Sequence, residues 1–217
     1  MSAVLISIQP KWVEKIASGE KTIEVRKSRP KLETPFKCYI YCTIGNGVKG
    51  DYLVPSGIQC GKVIGEFVCD EITEYRAEFT DLQYSDARHK KVCQNTIKWV
   101  ERDDENEETV YRYETSNEED NPDDCKFLKK SCLTFNEVRK YIGATFFDKP
   151  FYGWHISDLK IYDKPKELDE FYVWKKCNSC KVSGYESTGC SYINCKVPAR
   201  ITRPPQSWCY VEELQND

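Results

Sequence analysis

The sequence predicts an α+β fold, a barrel of short β-strands flanked by two short helices. Three observations predict it. Aromatic residues are plentiful, with 14 Tyr, 9 Phe and 5 Trp among 217 residues, and such side chains suit the half-buried, pleated surface of a sheet. Short runs with a period of two, or with continuous apolar character, recur along the chain between Gly- and Pro-bearing turns. Only two stretches, both short, carry the 3.6-residue period of a helix, and short helices set among many strands place the chain in the α+β class. A composition of 40% hydrophobic and 31% charged residues belongs to a folded globular chain. Residues 1–217 suffice for one well-buried domain with insertions.

Val4–Ile8 reads as an apolar strand. Pro10, preset for a first helical turn, opens a helix whose Trp12, Val13, Ile16 and Ala17 fall at helical spacing, and Gly19 stops it. Thr22–Arg26 alternates polar and apolar, so Ile23 and Val25 are expected in the core and Thr22, Glu24 and Arg26 together on the opposite face. Phe36–Thr43 and Gly61–Cys69 are further strands, the second with Gly65 at an expected bend or bulge. Gly45, Gly47, Gly50, Pro55 and Gly57 mark the loop between them. Thr96–Val100 and Thr109–Tyr113 alternate in the β manner around an acidic run, which predicts a hairpin. Thr134 and Glu137 have the spacing of a capping box, followed by Val138, Tyr141 and Ile142 as an apolar stripe and Gly143 as a stop. Tyr152–Tyr162 and Trp208–Glu212 are expected to complete the barrel. Two insertions interrupt this plan, an acidic hairpin arm at about 96–125 and a Cys-rich loop at 175–197.

The net charge of −3 conceals an asymmetry. Residues 101–124 hold 12 acidic residues against Arg102 and Arg112, and the remainder carries 30 basic and 23 acidic residues, a net of +7. Local charge sets the field at a site, so a basic body with one acidic insert suits a nucleic-acid partner. The plainer reading of the insert is a solvated acidic loop, or a surface for a protein partner. His89, beside Arg88, Lys90 and Lys91, reads as part of a basic surface.

No stretch approaches the ~20 apolar residues that span a bilayer, and MSAVLISIQPKW lacks the basic start and small-residue cleavage site of a secretory signal. A cytoplasmic location with no membrane partner is expected, where the 12 Cys remain reduced. Cys177, Cys180, Cys190 and Cys195 include a Cys-x-x-Cys knuckle in a Gly-containing stretch with little apolar material. Four thiolates so spaced suit a structural zinc ion in tetrahedral coordination, against the competing reading of free thiols.

Gly19, Lys21, Glu24 and Arg26 stand in the pattern Gly-x-Lys-x-x-Glu-x-Arg at a helix-to-strand passage. This resembles the signature of the ASCH family of the PUA-like superfamily. The resemblance extends to GKVIGEFVCDEI, to GWHISDLKIYDKPKEL and to RPPQSWCYVEE, the last similar to the closing strand of phage-type members; together these cover roughly half the chain in order. The resemblance implies a PUA-like β-barrel with a basic cleft, lined by this motif, that takes RNA or a nucleotide-like ligand. Relatives are variously RNA-associated modules, ribonucleases and acetylcytidine amidohydrolases, so it implies a fold more firmly than an activity.

By chemistry, Lys21 and Arg26 supply cations for a phosphate beside a Gly-bearing turn, and Glu24 accepts from a base or a sugar hydroxyl. The competing reading is an exposed ion-pair set worth ~0.5 kcal/mol. In a hydrolase, Lys21, Glu24 and Thr22 are the catalytic candidates; the position of the amidohydrolases' nucleophilic Thr, three residues after the Lys, holds Glu24, leaving Glu24 as a general base for water. His155 is the further candidate for ribonuclease chemistry. Trp12 and Trp154 are candidates to stack on a base, although Trp in a β-rich domain is more often core.

Overall fold

The elements follow the order β1 (Ser2–Ile8), α1 (Pro10–Ala17), β2 (Ile23–Arg26), β3 (Phe36–Cys42), β4 (Val63–Cys69), β5 (Ile72–Thr80), β6 (Gln94–Arg102), β7 (Glu108–Thr115), α2 (Lys126–Ser131), α3 (Phe135–Ile142), β8 (Pro150–His155), β9 (Ser157–Lys166), β10 (Tyr172–Lys176), β11 (Lys196–Arg200) and β12 (Trp208–Glu212), with a 3-10 turn at Leu168–Glu170. They belong to a computed structural model that describes residues 2–44, 57–80, 94–102, 108–115, 125–143, 150–176 and 196–214. The chain forms two compact units, one of residues 1–14, 36–67 and 159–217 and one of residues 15–35 and 68–158. Among the described residues no helix is long and apolar enough to cross a membrane.

The first unit is built on a sheet of order β12-β1-β3-β4-β9. The apolar run of β1 is buried from Ala3 to Ile8, as expected of a strand with neighbours on both sides. β12 pairs with it antiparallel from Ser2↔Glu212 to Ile6↔Trp208. β3 pairs parallel from Val4↔Cys38 to Ile8↔Cys42, and a parallel neighbour requires the long crossover that residues 9–35 supply. One face of this sheet buries Ala3, Leu5, Tyr39, Val63, Phe171 and Val211; each large apolar side chain so placed contributes roughly 1.5–3 kcal/mol. The Tyr39 hydroxyl stays satisfied there by accepting from the Leu214 N–H at 2.9 Å. At Gly65 a Cβ would meet the Lys160 carbonyl oxygen at 2.5 Å, so glycine is required for the close approach of β9. β10 and β11 form a separate two-stranded ribbon, where the sequence suggests a loop already under way from Lys175.

The second unit carries the antiparallel sheet β2-β8-β5-β6-β7 with α2 and α3. The expected hairpin is present, and longer than the alternation indicates: β6 and β7 pair from Asn95↔Thr115 to Arg102↔Glu108, continuing the sheet. Tyr75, Phe127 and Phe151 pack as an aromatic cluster with centroids 4.2 to 5.6 Å apart. Gly153 admits the Tyr75 ring, which a Cβ would meet at 2.7 Å. The α3 capping box forms as the sequence dictates, with Glu137 N–H donating to the Thr134 hydroxyl at 3.2 Å and Thr134 N–H to the Glu137 carboxylate at 3.0 Å. Gly143 closes the helix at φ 71°.

The mixed α+β class stands, but neither five-stranded sheet is closed among the described residues. The reason lies at Ile156. The single strand expected over Tyr152–Tyr162 breaks there into β8 and β9, which belong to different sheets. Asp158 lies just beyond the break at φ 46°. The break between β4 and β5 at Asp70 and Glu71 is directly alongside: His155 N–H donates to the Glu71 carbonyl at 3.0 Å, and the Ser157 hydroxyl to the Val68 carbonyl at 2.9 Å. The two breaks are thus hydrogen-bonded to each other within the second unit.

Candidate functional site

Gly19 ends α1 at φ 77°, its N–H donating to the Ile16 carbonyl at 2.9 Å, and the chain turns immediately into Lys21. From there the segment is tied down on both sides. Thr22 N–H donates to the Lys130 carbonyl at the end of α2, and the Thr22 carbonyl accepts from Ile156 N–H, each at 2.9 Å. These bonds fix the backbone on which the motif side chains sit; Thr22 itself is half-buried.

The expected open face of β2 is closed. Lys21, Glu24 and Arg26 are 2%, 6% and 7% exposed, while Ile23 and Val25 are buried as well. The Lys21 ammonium donates to the Ile23 and Ser131 carbonyls at 2.8 and 2.7 Å and lies 3.5 Å from a Glu24 carboxylate oxygen. Ser131 is the last residue of α2, so Lys21 satisfies one of the carbonyls a helix C-terminus leaves without an intrahelical partner, where its positive charge also meets the negative end of the helix dipole. Arg26 holds the other Glu24 oxygen at 2.9 Å and also hydrogen-bonds the Tyr141 side chain from α3. Burial pushes the Lys21 ammonium below the ordinary lysine value, opposed by the Glu24 carboxylate. Burial raises the Tyr141 hydroxyl, opposed by the Arg26 guanidinium.

The cluster is therefore two cations sharing one carboxylate, withdrawn from water. Its accessible edge is Tyr141, 37% exposed, with the exposed Lys27 ammonium 5.3 Å above its ring. Tyr141 is legible in the sequence only as part of an apolar stripe; nothing local marks its hydroxyl as a partner of Arg26.

Trp154 stands directly opposite Glu24 in the β2–β8 ladder, with His155 opposite Ile23. The structure thus brings Trp154 beside the motif, on the same sheet face, but fully buried; its ring packs there rather than offering a platform. His155 is half-buried, and its Nδ1 lies 2.7 Å from the Asp70 carboxylate. Burial alone would raise the Asp70 carboxyl, but the His155 hydrogen bond holds it below the ordinary value. Beside it, burial pushes the Cys69 thiol up to about 12, leaving it a non-nucleophilic thiol at neutral pH. Asp70 carries no sequence signal beyond its place after a strand. Trp12 belongs to the other unit, where the Lys11 ammonium lies 4.1 Å over its ring.

Cys177, Cys180, Cys190 and Cys195 lie outside the described residues, as do His89 and most of the acidic segment. Among the described residues no group of three or more His, Cys, Asp or Glu side chains is arranged to hold a metal ion.

Residues 6–104 match the ASCH domain family model, a span that contains all four motif residues. No curated protein matches the chain. Among solved structures, it is similar to the crystal structure of ASCH from Zymomonas mobilis, at 15% identity and TM-score 0.47 over 97% of this chain and 88% of that one. It is also similar to a tyrosine-to-phenylalanine variant of the same organism's ASCH protein, at 14% identity and TM-score 0.46 over 97% and 91%. The family model thus spans the complete motif, and residues 6–104 of the chain match the ASCH domain family.

Proposed function

We propose that this ASCH domain binds RNA or a nucleotide-like ligand through the surface that the Lys21–Glu24–Arg26 cluster organises. The single observation that carries the reading is the cluster itself: three charged side chains more than nine-tenths buried, with an excess of one positive charge. Burying such a set costs more than packing apolar residues in its place returns, so its presence favours a functional requirement for positive potential there. Tyr141 and Lys27 present that potential to solvent, a ring and a cation to meet a base and a phosphate. We read the whole chain as one PUA-like domain of a reducing, cytoplasmic compartment, with the β6–β7 hairpin and the segment between β10 and β11 as additions. Zinc on Cys177, Cys180, Cys190 and Cys195 belongs to the same proposal, and metal analysis of unchelated protein near one zinc per chain is its check.

The test is incubation of the pure protein with mixed single-stranded RNA and modified nucleosides, followed by mass spectrometry for retained ligand and for new products. Retained RNA without products, weakened by Lys27→Ala and by salt, supports binding; no retention at any salt concentration refutes it. A second reading, hydrolysis of an RNA phosphodiester or a modified nucleoside, is favoured by one observation: Asp70 orients the half-exposed His155 through Nδ1, which leaves Nε2 available for proton transfer. Turnover abolished by His155→Ala with ligand still retained supports it. The Glu24 carboxylate is 6% exposed, with its oxygens beside Lys21 and Arg26, so an attacking water has little access to it, which weighs against the version centred on Glu24.

A further inference from the structure

The β10–β11 ribbon has two unlike faces. Pairing runs Tyr172↔Arg200, Val173↔Ala199, Trp174↔Pro198 and Lys175↔Val197, so Tyr172, Trp174, Pro198, Arg200 and Lys196 share one face and Val173 and Ala199 the other. The second face is anchored: Val173 packs against the core that contains Ala3, Leu5, Tyr39 and Phe171. The first faces away from that core. Trp174 is 53% exposed, an unusual state for the largest amphipathic side chain and one that forgoes its burial energy. Lys196 and Arg200 are exposed beside it, and the Arg200 guanidinium lies 5.8 Å from the Tyr172 ring centroid. Tyr172–Lys176 and Lys196–Arg200 contain Lys175, Lys176, Lys196 and Arg200 and not one carboxylate. Among the described residues the acid paired to the face is Asp169, 3.6 Å from Arg200 with both side chains more than half exposed, a pair of the weak, exchangeable kind.

We propose that this face is a contact surface for single-stranded nucleic acid, separate from the motif cluster. Bases stack on Trp174 and Tyr172, and phosphates replace Asp169 at Arg200 and water at Lys196. Two rings at positions i and i+2 stand about 6.8 Å apart along the strand, room for one base on each, and stacking of this kind tolerates any base. Charge complementarity selects the occupant. A duplex would bury neither ring, and a row of cations with a proline along two short strands disfavours pairing with a strand of another protein. The inference rests on the reading of the chain as an RNA binder only in the choice of RNA over DNA.

The test is fluorescence anisotropy of the full chain with a labelled oligouridylate and with the matching oligothymidylate, at several salt concentrations. Trp174→Ala is expected to weaken binding about 5- to 100-fold, the loss of one stacked base, with an unchanged melting temperature, and Trp174→Phe to recover part of it. Lys196→Glu with Arg200→Glu is expected to weaken binding and flatten its salt dependence. Unaltered affinity in both variants overturns the ribbon surface, as does an unmodified protein that binds neither oligonucleotide. Lys27→Glu, measured in parallel, separates the two readings: loss there alone overturns the ribbon and keeps the proposed function, whereas loss at the ribbon alone supports the ribbon and removes the motif edge as the seat. Equal losses with RNA and DNA support the ribbon and assign it to single strands in general.

Discussion

Lys21 and Arg26 are cations withdrawn from water, whereas Lys196 and Arg200 are cations left in it. The first pair is held from several sides, by backbone carbonyls, one shared carboxylate and a tyrosine side chain. The second pair stands on the ribbon face of Tyr172 and Trp174, with Arg200 loosely paired to the exposed Asp169. The difference separates organising charge from contacting charge. A buried cation fixes geometry and field but exchanges partners at high cost; an exposed one trades water for phosphate at almost none.

The sharpest way to break this comparison is Glu24→Gln. It leaves Lys21 and Arg26 buried without a counter-charge, and removing one partner of such a set costs roughly 3–5 kcal/mol. Urea unfolding should show that loss, and simultaneous replacement of all three by apolar residues of similar volume should recover most of it. A loss below about 1 kcal/mol in Glu24→Gln would mean that water reaches the cluster.

A smaller effect, with no charge involved, calibrates the first. Gly65→Val drives a side chain into the Lys160 backbone and should cost about 1–3 kcal/mol in the same assay. An unchanged denaturation midpoint would show that β4 and β9 can separate there.

Smaller again is Asp70→Asn. The Asp70 carboxyl is held below its unfolded value, so its contribution is present above the unfolded carboxylate range and fades as pH falls through the lower, folded value. Both partners are more than a third exposed, so the contribution is of the order of 1 kcal/mol or less. Asp70→Asn should lower stability by about that amount at neutral and higher pH, leave it almost unchanged at pH below the folded carboxyl value, and so flatten the acid limb of the stability profile. The smallest effect belongs to Trp174→Ala, within about 0.5 kcal/mol in stability, which is what makes its effect on binding readable.

Where local signals decide structure, the sequence was a sufficient guide. Thr134 with Glu137, Gly19 and Gly143 each do what their chemistry requires, β3 and β4 lie within the apolar runs that announce them, and β1 extends its run by two residues. The alternation in Thr22–Arg26 put the motif on one face, but the covering of that face comes from α2 and α3, far along the chain, and no property of five residues announces it. α2 is only six residues long and has no side-chain cap, so it leaves no readable start. The break at Ile156 sits inside an unbroken β-like pattern and becomes visible only once β5 claims β8 as a partner. β10 and β11 are five residues each, joined across an intervening segment of Cys and Gly, and a pairing at that separation leaves no periodic trace. The motif residues were legible as a set; their burial was not.

The pairing of β1 with β12 bears on how the protein is made. β1 meets β3 early in synthesis, but its other edge is satisfied only by residues at the far end of the described sequence. Until then an apolar strand edge, Ala-Val-Leu-Ile-Ser-Ile, stands open in a sheet already partly assembled, and such an edge is a template for pairing with other nascent chains. The strand that anchors the first unit is thus also the one with the longest wait on the ribosome. Slower elongation between Cys42 and Trp208 should therefore lower soluble yield.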